Sequence, residues 1–328
     1  MQRNYLKYSS LLLSLLMLMT ACEEEKSIIP AAKTELQNDV IKRTLGPNVV
    51  GLNIEFAYAM ALAPERGKLV SAQVEASIPG AGGTYLETKT YSTNGSGEDV
   101  GIVVGESLPT EGKITKVNFT KDTSASTLRY YYVIPEAARG QEVTFDFTAT
   151  SSTGETVTYK MGPYKIAKMD MKLDMTVTDS VASYISIADM AVYSAAEAAT
   201  KADKIDLVYL YRSIPGVTFN HALVSPGADK QYLPNVTLPA GVNKVSKVRK
   251  AWNIRDFHLA RLQYGVYIDD LDFEKLDLTE SANYAINMRA ESGAWVETAD
   301  SKYRAYIYVN SVNNNGKSAR ISIKRYAL

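Results

Sequence analysis

The chain has 328 residues with 36 basic and 36 acidic side chains, a balance without the basic footprint that nucleic-acid binding leaves. Cys22 is its one cysteine, which excludes an internal disulfide; a hydrophobic core must hold the fold, and about 300 residues suffice for two domains. Tyr outnumbers Phe by 22 to 7, favouring antiparallel strands with one wet face over a buried parallel sheet.

Residues 1–21 read as an export signal. Arg3 and Lys7 supply its positive start, and the apolar run 11–19 is too short to span a bilayer, which wants about 20 apolar residues. Thr20 and Ala21 precede Cys22, leaving room for a peptidase and for acylation of the thiol, with palmitate among the expected chains. Acyl chains hold a protein on a membrane at about 0.8 kcal/mol per buried methylene. Removing the leader leaves 34 basic against 36 acidic residues, a net charge of about −2. The run LLLSLLMLMTACEEEK resembles a bacterial lipoprotein signal, departing from it at Met19, where Leu or Val is more usual. Glu23, Glu24 and Glu25 resemble the export signal of Bacteroidetes surface lipoproteins; a solvated, charged tether accounts for them equally well. The resemblance implies a lipid anchor in the outer membrane and exposure on the cell surface.

Residues 22–47 form the lipidated cysteine and tether. A short helix is expected over 35–44, where Leu36, Val40 and Ile41 share a face, stopped by Gly46-Pro47. From there strands alternate with turns: 50–58, 69–76, 113–120 and 128–134, with turn signals at 78–83 and 94–97. The hairpin 143–150 and 155–159 around Ser152-Thr153-Gly154 is the clearest of the series. Residues 165–174 read as a junction. A strand at 183–188 precedes Ser194-Ala-Ala-Glu197, a capping box in which each side chain satisfies a backbone N–H of a helix expected over 195–202. The strand 205–211 is apolar on nearly both faces and so belongs at a sheet centre. Four prolines mark 215–241 as irregular loop, and a basic strand is expected over 243–252. Short helical turns are expected within 256–277, and strands at 284–290, 303–312 and 317–326. This spacing of short strands predicts a mainly β protein: two tandem antiparallel immunoglobulin-like β-sandwiches, 48–168 and 169–328, the second carrying a short helix and long loops.

The segments QNDVIKRTLGPNVVGLNIEFAYAMAL and AYIYVNSVNNNGKSARISIKRYAL resemble a Bacteroidetes lipoprotein family described only as a domain of unknown function. The run VYSAAEAATKADKIDLVYLY is similar to gut-bacterial surface lipoproteins with Ig-like domains. These resemblances imply β-sandwiches and an envelope location, and no activity.

Chemistry-bearing groups are sparse. Asp269, Asp270, Asp272, Glu274 and Asp277 form the densest acidic cluster. In a calcium-loop frame starting at Asp270, Lys275 takes the glycine position and Ser281 the bidentate one, so a solvated loop is the expectation. Lys244, Lys247, Arg249, Lys250 and Arg255 surround Trp252, suiting either an anionic glycan or an edge strand guarded by charge. Trp295, Tyr303, Tyr306 and Tyr308 are candidates for a sugar-stacking platform, with ordinary outward tyrosines on a sheet as the alternative. His221 and His258 have no metal-ligand spacing, and no G-x-S-x-G elbow presents a serine, so no catalytic, metal or cofactor role is assigned. Asp179-Ser180-Val181 resembles a short Bacteroidetes O-glycosylation motif. The expected function is non-catalytic binding or assembly at the surface, with a glycan or another surface protein as partner; a glycan-binding module of a nutrient-capture system is the alternative, and a glycoside-active enzyme the third reading.

Overall fold

Eleven strands build the first half in a computed structural model that describes residues 33–328 apart from residue 263. In chain order they are β1 (Gln37–Lys42), β2 (Asn53–Ala61), β3 (Leu69–Ala76), β4 (Tyr85–Leu86), β5 (Lys89–Thr93), β6 (Asp99–Val103), β7 (Gly105–Ser107), β8 (Ile114–Phe119), β9 (Ala125–Val133), β10 (Glu142–Ser151) and β11 (Thr156–Lys165). One antiparallel sheet runs β1–β2–β9–β4 and the other β11–β10–β3–β8–β7; β5 and β6 form a separate hairpin. Alternation decides the packing. Phe56 and Tyr58 of β2, Tyr130 and Tyr132 of β9, and Phe145 and Phe147 of β10 all point inward and meet as a cluster of edge-on rings.

The helix expected over 35–44 is instead the edge strand β1, paired residue for residue with β2 from Gln37↔Ala61 to Lys42↔Phe56. Leu36 and Val40 are buried while Ile41 points to solvent, a period of two, not 3.6. The inward polar residue is what disguises the strand. Asn38 donates its amide to Tyr58 Oη (3.2 Å) and to the carbonyls of Phe147 (2.9 Å) and Val157 (3.3 Å), joining the two sheets across the core.

The second half contains β12 (Asp170–Thr178), β13 (Tyr184–Ser186), β14 (Ala191–Tyr193), β15 (Leu207–Ile214), β16 (Val217–Val224), β17 (Lys247–Trp252), β18 (Tyr284–Met288), β19 (Ser292–Glu297), β20 (Tyr303–Asn313) and β21 (Ser318–Ala327). Three short helices join them: α1 (Ala195–Thr200), α2 (Phe257–Ala260) and α3 (Asp270–Glu274). The sheets run β12–β21–β20–β19–β17 and β14–β13–β15–β16–β18, again antiparallel, so the protein is mainly β with sandwiched sheets throughout. The capping box forms as expected, Ser194 Oγ accepting Glu197 N and the Glu197 carboxylate accepting Ser194 N (2.8 Å). β15 lies at the sheet centre. The stretch 215–241 is not wholly irregular: β16 occupies part of it, between β15 and β18, and only the remainder is loop.

This half has three layers of core, not one. Between the sheets lie Ile187, Leu207, Val296, Ile307 and Ile321. Outside the β15 sheet, α1 and the loop after β16 cover Val208, Leu210 and Ala222. Outside the β20 sheet, the segment carrying α2 and α3 covers Trp295, Tyr306, Tyr308 and Tyr326, and here Val49, Ala167 and Met169 from the junction join the same core. Many tyrosines therefore stand inside, and two of them anchor loops through their hydroxyls: Tyr132 donates to Ile78 O (3.0 Å) and Tyr306 to Ile254 O (2.7 Å).

Candidate functional site

The acidic cluster is consumed by its own backbone. Asp269 caps α3, accepting Leu271 N (2.9 Å) and Asp272 N (3.3 Å), while the Asp272 carboxylate returns to Asp269 N (2.9 Å). Asp270 is buried and accepts Lys168 N (2.8 Å) and Met169 N (3.1 Å) from the junction. Glu274 accepts Tyr326 Oη (2.8 Å), and Asp277 accepts Thr279 N and Oγ1. Five carboxylates point at five different sets of protein donors, not at one centre.

The basic residues are likewise engaged. Lys247 pairs with Glu297 (2.9 Å), Arg255 with Glu291, and Lys244 lies 3.6 Å from Asp206; Arg249 donates to Asp277 O (2.7 Å). β17 is an edge strand of its sheet. Trp252 at its end is 53% exposed, and Lys250 Nζ sits 4.0 Å from the ring centroid while donating to the carbonyls of Ile286 and Asn287 (both 2.6 Å). Burial, then the Arg289 charge, lowers the Lys250 ammonium to about 8.

The proposed platform of Trp295, Tyr306 and Tyr308 is corrected by its burial. Trp295 is 8% exposed and the two tyrosines less, because the α2–α3 segment lies over that face. Tyr306 and Tyr308 do share a face, opposite Ile307 and Val309, but it is an inner one. Tyr303 sits on the other side of β20, under Arg325 (5.1 Å), so no surface unites these rings with Trp252. His221 is held between Tyr209 Oη (2.6 Å to Nδ1) and Asn314 Oδ1 (2.8 Å to Nε2). Cys22 and Glu23, Glu24 and Glu25 lie outside the described residues.

A surface arrangement of a different kind stands on the first half. Across the outer face of the β1–β2–β9–β4 sheet, register brings four residues into one row: Tyr85 opposite Tyr131, Tyr131 opposite Glu55, and Glu55 beside Arg43. The Tyr85 and Tyr131 rings stack at 4.8 Å and 17°, with Tyr85 43% exposed. Arg43 Nη1 meets Glu55 Oε1 at 2.9 Å. Beside the row, the β5 hairpin places Tyr91 under Arg129, 4.0 Å from guanidinium to ring centroid, and Arg129 pairs with Asp99 (2.9 Å). Burial, then the carboxylates of Glu87 and Glu55, raises both stacked hydroxyls, and Glu87 pushes Tyr91 up to about 12. All three stay neutral donors at neutral pH. The sequence carried this signal in LRYYYV: alternation turns Tyr130 and Tyr132 inward and leaves Arg129 and Tyr131 outside, whereas Tyr85 belongs to a two-residue strand with no periodicity to read.

Residues 33–166 match a family described as a domain of unknown function (DUF4466), and residues 167–328 match a second such family (DUF8576). No curated protein matches the chain. A cohesin module from a Clostridium perfringens family 33 glycoside hydrolase is 15% identical, covering 39% of this chain and 96% of its own, with a TM-score of 0.24. BcpA, the major pilin subunit of Bacillus cereus, is 9% identical over 88% of this chain and 66% of its own, with a TM-score of 0.28; both scores are too low to bear on this protein. A crystal structure of a DUF4466 family protein from Parabacteroides merdae stands apart from these, superposing with a TM-score of 0.85 at 44% identity over 90% of this chain and 100% of that one. With that identity across the full length of the Parabacteroides protein, the chain belongs to the DUF4466 family.

Proposed function

We propose that this protein is a non-catalytic glycan-binding lipoprotein of the outer membrane, tethered through acylated Cys22 and carried to the cell surface by Glu23, Glu24 and Glu25. The observation that carries the binding reading is the stacked pair Tyr85–Tyr131, the first exposed and the second half-buried, set in one row with a carboxylate and a guanidinium. Sugar rings present C–H faces that pack on aromatic rings and hydroxyls that pair with charged and phenolic groups, and rigid aromatics contribute contact area at small entropic cost. Immunoglobulin-like sandwiches serve such a role well, because a paired sheet holds its outward residues at fixed spacing.

A glycan array with the protein tests the reading. Plant, host or microbial glycans should bind, and Tyr131→Ala and Tyr85→Ala should each weaken binding by about 1–2 kcal/mol, roughly tenfold, while Trp252→Ala leaves it unchanged. Absence of binding, or loss with Trp252→Ala alone, would sink the proposal. The anchor has its own check: Cys22→Ala should abolish metabolic acyl labelling and release the protein from the membrane fraction, and a labelled mutant would refute it.

A further inference from the structure

The row does not end at Arg43. Arg43 and Glu55 also line a cavity of about 470 Å³ where the two halves meet, inside the size range typical of small-ligand sites. The cavity's first-half side includes Leu45, 75% exposed, and its second-half side includes Phe257, 36% exposed, with Tyr267 behind it. Phe257 and Tyr267 lie 5.1 Å apart at 43°, forming an aromatic wall. Gly46 explains how that wall closes on the loop between β1 and β2: a Cβ there would lie 2.3 Å from the Tyr267 ring, and the residue holds φ +76, so only glycine lets the ring seat. Asn53 adds an amide to the lining. The opening shares the Arg43–Glu55 pair with the row and adds two aromatic rings, an apolar side chain and an amide of its own. Tyr85, Tyr131 and Glu55 lie on neighbouring strands and Arg43 just past the end of β1, so the row spans three spacings of about 4.8 Å and the path from Tyr85 to the cavity mouth is roughly 14 Å.

We propose that the seam cavity is a second subsite of the same binding face and receives the far end of an extended glycan chain, so that the ligand is an oligosaccharide bridging both halves. The proposal rests on the glycan-binding reading of the Tyr85–Tyr131 row. It differs from that reading in demanding length: a short glycan occupies only the row, and a longer one reaches Phe257 and Tyr267. The second half then contributes to recognition although its own buried tryptophan and tyrosines do not.

Titration calorimetry on the full-length protein in detergent separates the two. The probes are purified cello-, xylo- and malto-oligosaccharides, each from disaccharide to hexasaccharide. For a series that binds, wild-type affinity should rise about tenfold from the shortest to the longest chain, as a further aromatic contact is added. The double variant Leu45→Ala, Phe257→Ala should bind the short chains as wild type does and lose the rise. Both side chains are substantially exposed, and an unchanged thermal melt confirms that the variant is folded. Affinity independent of length, or a rise kept in the double variant, overturns the seam subsite while a Tyr131→Ala loss leaves the row standing. No binding of any series by a wild type that also binds nothing on the glycan array overturns both.

Discussion

Asp206 shows what burial does to a single charge in this fold. It sits just before β15, 1% exposed, with Oδ2 accepting Ile187 N at 2.8 Å and Oδ1 left without a hydrogen-bond partner. Lys244 stands 3.6 Å away, too far to satisfy it. Burial pushes the carboxyl up to about 6, the Ile187 N–H and the Lys244 charge offsetting only part of that cost. A carboxyl raised in the folded state binds more protons there than in the unfolded chain, so stability falls as pH rises between the ordinary value near 4 and about 6. Asp206→Asn keeps an acceptor for Ile187 N and removes the ionisation. Relative to wild type, it should therefore gain about 2 kcal/mol between pH 4 and pH 7, at about 1.4 kcal/mol per unit. Urea unfolding at the two pH values measures this directly; an equal difference at both would refute it.

At the scale of elements, legibility in the sequence followed how many faces a strand buries. Strands with one wet face, such as β3 and the β10–β11 hairpin, alternate openly and are readable. β19 is buried at all six positions because helices cover one side and the opposite sheet the other, so Gly293 and Ala294 fill places where bulk would clash, and no period survives. Tyr306 lies within 2.1 Å of where a Cβ on Gly293 would stand. β1 hid behind one inward asparagine, and β16 behind the prolines that flank it. The candidate site failed for the same reason. Composition marks Trp295, Tyr306 and Tyr308 as aromatic, but whether they meet sugar or core depends on the α2–α3 segment, and what fixes that segment is remote in sequence. Lys324 on β21 and Asp256 are both fully buried and paired at 2.6 Å; Lys324 also donates to Ile268 O (2.8 Å), and Asp256 accepts Leu259 N and Ile268 N. One inward lysine thus gathers the segment onto the sheet. Conversely, the row from Tyr85 to Arg43 was legible only at Tyr131, because register, not sequence order, assembles the rest.

For the whole molecule the question is whether two halves joined by a junction move independently, the usual expectation where an interface is small and polar. Here the junction is built into both. Asn48 bridges Ile166 in parallel and accepts Ala167 N (2.8 Å), while Arg139 reaches forward to Lys168 O (2.9 Å), Met169 O (3.1 Å) and Asp170 (2.5 Å). From the other side Asp270 holds Lys168 N and Met169 N, and Arg325 also pairs with Asp170. Val49, Ala167 and Met169 bury against Phe273, Leu276 and Tyr326 in one apolar cluster. A seam with shared core and hydrogen bonds from both sides couples the unfolding of its neighbours, so the wild-type protein should melt in a single calorimetric transition. Asp270→Ala takes the acceptor from two junction N–H groups, one of them buried. Hydrogen bonds to a charged group contribute about 1.5–3 kcal/mol, and the donors left behind gain no other acceptor from the new methyl. The variant should lose about 2–3 kcal/mol, and because the loss falls on the seam rather than inside either sandwich, its transition should split in two. A single transition displaced to lower temperature would instead mean that the apolar cluster alone couples the halves, and an unchanged melt would mean that the clamp contributes nothing.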